Sequence, residues 1–344
     1  MPFAAIQGQD RAVAILASAL ARGRLAHAYL FIGPAGVGKK RTACALAQAV
    51  LCEERPRAGC GACASCALAA AGAHPDLILV TREPGKQTLG IDQVRDLQRL
   101  LGLRPVRGSK KIALLDDAHL LNAAAQSALL KLLEEPPGDA LLILLTVNSA
   151  TLSRPLVSRC QQVRFAPLPI PVVEDLLVRE HAKDPTTAHT LARYSHGSLG
   201  RALALDPQVF SEERRYIEEE LQQLAGASFA TLSRLAEWLV ADRAKKSAKS
   251  GEAEDGRSTG DRLELVLSWY EEVLRYTLLG QDAVVRHTDR LPTIARAASE
   301  LGAAGALRQL TIVYDTMQAL NRNANRQLAV EDMLLRLASS GPEP

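Results

Sequence analysis

The run Leu30-Phe31-Ile32-Gly33-Pro34-Ala35-Gly36-Val37-Gly38-Lys39-Lys40 has the make-up of a phosphate-binding loop in every place but the last. In such a loop, backbone N–H groups freed by glycines, here Gly33, Gly36 and Gly38, cradle phosphates. A lysine, Lys39, reaches the outer ones, and the next residue is a Ser or Thr whose hydroxyl holds Mg²⁺. Lys40 stands in that next place. A second ammonium attracts phosphate but cannot ligate a metal cation. The loop is therefore expected to hold ATP or ADP weakly, with little use for Mg²⁺ and little hydrolysis. Asp116 follows an apolar run, the setting in which a carboxylate positions Mg²⁺ through water. A cap or turn role is its alternative. Asp117 comes next, where a hydrolysing site carries Glu to orient the attacking water. It is one methylene, ~1.5 Å, too short for that task. Thr146 is a candidate sensor of the terminal phosphate, Asn148 competes with it, and a turn role is open to either.

A second chemistry lies in Cys52, Cys60, Cys63 and Cys66, spaced Cys-x7-Cys-x2-Cys-x2-Cys among glycines and alanines. The tight steps let thiolates converge on one tetrahedral Zn²⁺, and four thiolates make a closed, structural site. Free thiols or a disulfide pair are the alternatives. Cys44 and Cys160 fit no such spacing and read as small buried hydrophobes.

The elements that must position these groups alternate strand and helix, which predicts an α/β fold with a parallel sheet covered on both faces. Strands are expected at 28–32, 76–80, 111–115, 140–146 and 161–165, with helices at 39–50, 91–101 and 123–133. The proline-rich link 167–171 marks a boundary. Beyond it no strand is expected, only helices, at 172–180, at 186–195 and in patterns running from 210 to 337. The division predicted is 1–168 for the sheet domain with its cysteine module (about 52–66), 169–206 for a small helical lid, and 207–344 for an all-α domain. A polar loop at about 243–261 interrupts the last, with almost no apolar content to bury.

At 344 residues, 47% hydrophobic and 23% charged, the chain can bury several cores. No stretch approaches the ~20 apolar residues of a membrane helix. The start, Met1-Pro2-Phe3-Ala4-Ala5, lacks the features of a secretion signal, so a cytoplasmic protein is expected. A net charge of +3 argues against DNA binding by bulk electrostatics.

Several motifs together resemble the bacterial DNA polymerase III clamp-loader subunits, relatives of the AAA+ ATPases. They are Gln7-Gly8-Gln9, His27 to Phe31, the four-cysteine insert, Ala128 to Pro137 and Ser158-Arg159-Cys160. The likeness covers most of the first 205 residues and, more loosely, Asn321 to Leu328. Within the family the delta-prime branch is nearest. Lys40 and Asp117 depart from a hydrolysing site, and Gly200 stands where motor subunits of the gamma/tau type place an arginine in the lid. Arg201 is one residue, about 100°, further around the helix.

The resemblance implies that Arg159 is an arginine finger, supplied in trans to ATP held by a neighbouring subunit. It implies a hetero-pentamer with gamma/tau and delta subunits, collared by the C-terminal helices, which loads a sliding clamp on primed DNA. In it this chain would be the stator, meeting DNA through the complex. Two other readings stay open from the residues: an active gamma/tau-like motor, and a zinc-bearing interaction module without nucleotide.

Overall fold

A computed structural model describes residues 3–83, 85–108, 110–224, 226–241, 259–280, 290–322 and 324–339. The chain divides into two compact units, Met1–Leu203 and Ala204–Pro344.

The first unit is built on five parallel strands: β1 Ala28–Ile32, β2 Leu77–Val80, β3 Lys111–Leu115, β4 Ala140–Thr146 and β5 Gln161–Arg164. Their order across the sheet is β2-β3-β4-β1-β5. The inner strands β3 and β4 are buried along their whole length, as expected of a sheet covered on both faces. The edge strand β5 carries Gln161, Gln162 and Arg164 outward, leaving only Val163 buried. Side chains alternate between two cores because the strand period is two. Tyr29, Phe31, Ile112, Leu114, Leu141 and Ile143 enter one core with Leu16 and Leu46. Leu30, Ala113, Leu115, Leu142 and Leu144 enter the other with Val94, Leu97, Leu129 and Leu156.

The helices of this unit are α1 Asp10–Ala21, α2 Lys39–Leu51, α3 Ala64–Ala70, α4 Ile91–Leu101, α5 Ala123–Glu134 and α6 Arg154–Arg159. α7 Ile170–His181, α8 Pro185–Tyr194 and α9 Leu199–Ala204 follow. Three of these, α1, α3 and α6, were not assigned from the sequence. α3 is the least legible, because its alanine-rich stretch begins inside the cysteine module, with Cys63 as N-cap accepting the N–H of Cys66. Asn122 and Asp184 cap α5 and α8 by accepting the N–H three residues on, each worth about 1 kcal/mol.

The second unit is helical throughout its described residues: α10 Pro207–Gln222, α11 Phe229–Val240, α12 Thr259–Leu279, α13 Leu291–Asn321, broken at Gly302, and α14 Arg326–Ser339. Arg262 is fully buried here. It lies 4.5 Å over the Trp238 ring, donates to the Ala241 carbonyl at 2.8 Å and pairs with Glu213 at 3.4 Å, fastening α12 to α10 and α11. Of the polar loop expected at about 243–261, residues 243–258 lie outside the described residues, and Thr259 already opens α12. Among the described residues no helix is long and apolar enough to cross a membrane.

Candidate functional site

β1 delivers the chain to the phosphate loop at Gly33, and α2 starts at Lys39 with its N-terminus toward that loop, the end of a helix that favours anions. Gly36 and Gly38 have φ of +69° and +99°, conformations that glycine adopts without steric cost. A Cβ on Gly38 would meet only open space, so the loop leaves room above it for a ligand. Lys39 folds back over the loop, its Nζ donating to the carbonyls of Gly33 and Pro34 at 2.6 Å each. Burial holds its pKa below the usual lysine value, while the charges of Asp116 and Asp117 push it back up.

The Lys40 ammonium lies 3.1 Å from Oδ2 of Asp116. Oδ1 of the same carboxylate accepts the N–H of Asp117 at 3.1 Å. Both oxygens of Asp116 are thus engaged inside the protein. The ion pair is partly exposed, at 53% and 26% for its side chains, and so contributes at most about 1 kcal/mol to stability. Its consequence is for what the pocket binds. Gln7, Lys39, Lys40, Arg41, Asp116 and Asp117 supply polar side chains to the lining of a cavity of about 390 Å³, with Leu168 and Leu176 on its apolar side. Asp117 reaches this wall from the left-handed region, at φ +52°.

Thr146 is not on that wall. It is buried, and its hydroxyl donates to the Asn148 carbonyl at 2.8 Å and accepts the Asn148 N–H at 3.2 Å. The Asn148 side chain accepts the N–H of Ala150. At the end of β4 both candidate sensors, Thr146 and Asn148, take part in the turn.

The segment after the sheet is tied to the phosphate loop, to α2 and to itself. Gly200 N–H donates to the Gly36 carbonyl at 3.1 Å, and Leu168 N–H to the Gly197 carbonyl at 2.8 Å. Arg41, on the first turn of α2, meets Glu180 of α7 in a two-pronged pair at 2.6 and 2.9 Å. This contact lowers the glutamate pKa and raises that of the arginine, in keeping with charge-assisted fork geometry. Gln9 bridges below, its amide donating to the carbonyls of Val37 and Ala166 and accepting the N–H of Ala166.

Arg159 ends α6 on the surface. Its guanidinium donates to the Pro155 carbonyl at 3.0 Å and pairs with Glu134 at 2.6 Å. Cys160, beside it, is buried and its thiol is pushed up to about 12, so it anchors the strand start while the arginine faces out. The first residue of β5, Gln161, pairs with Tyr29. That is four residues before Gly33, about 13 Å at the rise of a strand. Arg159 thus stands at the end of the sheet opposite its own phosphate loop.

The four cysteines converge. Sγ of Cys52 and Cys63 are 3.9 Å apart, those of Cys60 and Cys66 3.8 Å, and all four lie within 4.8 Å of one another. A tetrahedron with Zn–S of about 2.3 Å has an edge of about 3.8 Å, whereas a disulfide needs about 2.05 Å. N–H groups of Arg55 and Cys60 point to the Cys52 sulfur, that of Cys63 to the Cys60 sulfur, and that of Cys66 to the Cys63 sulfur, an arrangement that favours thiolates. These donors fit zinc, and the centre could hold it in a closed, structural role. Cys160 is buried as expected of an unliganded thiol, while Cys44 is only half-buried.

One family model, "DNA polymerase III, delta subunit", matches residues 8–169, and a second, "DNA polymerase III, delta subunit, C terminal", matches 250–339. DNA polymerase III subunit delta' of Pseudomonas aeruginosa is 32% identical over 327 residues, covering 92% of this chain and 93% of its own. That of Bacillus subtilis is 28% identical, covering 96% of each. The chain belongs to the DNA polymerase III delta-prime family. It is related as well to the gamma/tau subunits: Escherichia coli subunit tau is 36% identical over 215 residues, 61% of this chain and 33% of tau.

Sequence reasoning passed over His74 in this delta-prime clamp-loader subunit. The ring sits buried between the cysteine module and β2, with Nε2 2.6 Å from Ser65 Oγ and Nδ1 accepting the Asp76 N–H at 3.0 Å. An Nδ1 that accepts leaves the proton on Nε2, which then donates to the serine, the reverse of an activated nucleophile. Burial lowers the His74 pKa. The Asp76 carboxylate accepts three N–H groups, from Val106, Arg107 and Gly108, which hold its pKa down against burial. This is a bracket tying α3 to the sheet. A His-Pro-Asp step ahead of an apolar run was the one local sign of it.

Proposed function

We propose that this chain is the stator of its clamp loader, completing the ATP site of an adjacent gamma/tau motor with Arg159 while its own site does not turn over. The observation that carries the reading is the placement of Arg159, exposed and an entire strand length away from its own phosphate loop. A guanidinium there is away from its own phosphate loop and open to a site on another chain. Its tie to Glu134 is surface-exposed and worth ~0.2–1 kcal/mol, so a transferring phosphoryl group outcompetes it readily. A permanent planar cation stabilises that group's charge, by on the order of 10³ or more in rate.

The rigid-wall half of the reading is supported by the internally paired Asp116, the shortened Asp117 and the ties of Gly200 to Gly36 and of Glu180 to Arg41. A motor lid must move with its nucleotide, and this one is fastened to the loop by the backbone hydrogen bond from Gly200 to Gly36. Residues 169–206 act as that lid and 207–344 as the collar that joins gamma/tau and delta subunits in a five-membered ring. The ring opens the sliding clamp and meets primed DNA. The four-cysteine centre holds a structural Zn²⁺. Reconstitution with the motor and delta subunits tests the reading. Arg159→Ala is expected to leave the ring assembled and slow the neighbouring ATP site on the order of 10³-fold, with clamp loading reduced. Unchanged loading would remove the finger, and turnover by the isolated chain, abolished by Lys39→Ala, would make it a motor.

A further inference from the structure

A phosphate loop ordinarily works with Mg²⁺, and the donors lining this pocket, with Asp117 the one carboxylate outside the Lys40 pair, do not make up its shell. Mg²⁺ demands a near-octahedral shell of oxygens. The hydroxyl that would open that shell is replaced by the Lys40 ammonium. Asp116 has one oxygen on that ammonium and the other on a backbone N–H. The nearby Thr146 hydroxyl is closed into its turn.

The remainder of the pocket is nonetheless built for an anion. Gly38 opens onto free space. Among the described residues no protein acceptor takes the N–H groups of Gly36, Val37 or Gly38. The cavity of about 390 Å³ runs from these groups and Lys40 to an apolar wall that includes Leu168 and Leu176, the mixture that a base and its phosphates require. An ammonium has three donors, so with one on Asp116, Lys40 keeps two for phosphate oxygens.

We infer that Lys40 is the resident cation of this pocket: it replaces the divalent ion, so that the cavity takes a nucleoside polyphosphate free of metal and rejects the metal complex. Asp116 holds the ammonium in place, as it would otherwise hold the metal's water shell. A divalent ion brought in with the phosphates would sit against a fixed positive charge, while a bare polyphosphate meets charge of the opposite sign. The inference concerns the chain's own pocket and stands apart from the role of Arg159, so the two can fail separately.

The test is binding of ATP and ADP to the full chain by calorimetry, in EDTA and in excess MgCl₂. The wild type is expected to bind in EDTA and at least 10-fold more weakly in MgCl₂, its occupancy tracking the concentration of metal-free nucleotide. Lys40→Thr restores a hydroxyl and releases Asp116, and is expected to reverse the order, with the Mg²⁺ complex bound at least 10-fold more tightly than the bare nucleotide. Lys40→Gln, which removes the charge, should lose at least 10-fold in EDTA, and circular dichroism checks the fold of both variants. Wild-type binding that tightens with Mg²⁺, or no binding in EDTA, would overturn the inference. So would a Lys40→Gln variant that binds bare nucleotide as well as the wild type.

Discussion

Gly200→Ala tests whether the lid is locked to the phosphate loop by close backbone approach. A Cβ on Gly200 would lie 2.9 Å from Cα of Gly36, about 0.5 Å inside ordinary van der Waals contact. The neighbour is backbone and cannot rotate away. Displacement by that amount stretches the Gly200 N–H to Gly36 carbonyl bond from 3.1 Å to about 3.6 Å, beyond a hydrogen bond. Overpacking costs ~1–3 kcal/mol, the lost bond about 1, and the better helix propensity of alanine in α9 returns about 1. The net is about 1–3 kcal/mol against the closed lid, a 5- to 150-fold rise in its open population. Hydrogen exchange measures this directly. Amides of α9 and the Gly200 N–H should exchange faster by that factor, while β3 and β4 remain protected. The melting temperature of a unit this size moves by roughly 2–4 °C per kcal/mol of global destabilisation, so a local opening leaves it almost unchanged. Unaltered exchange at Gly200 would refute the lock, and loss of protection throughout the sheet would show that the contact supports the fold instead of the lid.

Two further outcomes follow from the cysteine module. Chelation should release one Zn²⁺ per chain, seen with a colorimetric zinc indicator, and expose the end of α2 and α3 to protease, because a structural zinc stabilises its fold by several kcal/mol or more; a chain carrying no zinc after expression with the metal, or unaffected by its removal, would refute the assignment. His74 makes that module acid-sensitive. Its folded pKa lies below the ordinary 6.5, so its contribution to stability is complete above about pH 6.5 and is lost as the pH falls toward the folded value, and Asp76, also depressed, adds a loss of the same sign below about pH 4. The melting temperature should fall between pH 7 and 5 in the wild type and less in His74→Gln, and equal slopes would contradict this.

Much of the sheet was legible because its signals are local. β1, β3 and β4 are apolar runs ended by glycine, aspartate or asparagine, and their limits matched the reading to the residue. The strands at the sheet's edges and most helix ends lay within a residue or two. The cysteine spacing implied convergence, since two Cys-x2-Cys steps can hardly avoid it, and the absence of strands among the described residues after 171 followed from helical periodicity. α3 and α6 escaped notice because a seven-residue alanine-rich helix and a six-residue proline-led one carry little amphipathic pattern, whereas α1, with Ala12, Leu16 and Leu20 buried on one face, was readable and was passed over.

What the sequence determined by itself is the set of parts: a phosphate loop lacking its hydroxyl, a carboxylate at a strand end, four thiols in one window, an arginine between a serine and a cysteine. Only the tertiary structure decided how these parts meet. Lys40 and Asp116 belong to different crossovers of a sheet ordered β2-β3-β4-β1-β5, and their pairing depends on that order. Nothing near residue 40 in the chain encodes it. The contact of Gly36 with Gly200, the fork between Arg41 and Glu180 and the removal of Thr146 from the pocket are of the same kind. Propensity and periodicity act over a few neighbouring residues, whereas the charge that cancels another, or the backbone that leaves no room for a methyl group, comes from wherever packing brings the chain back.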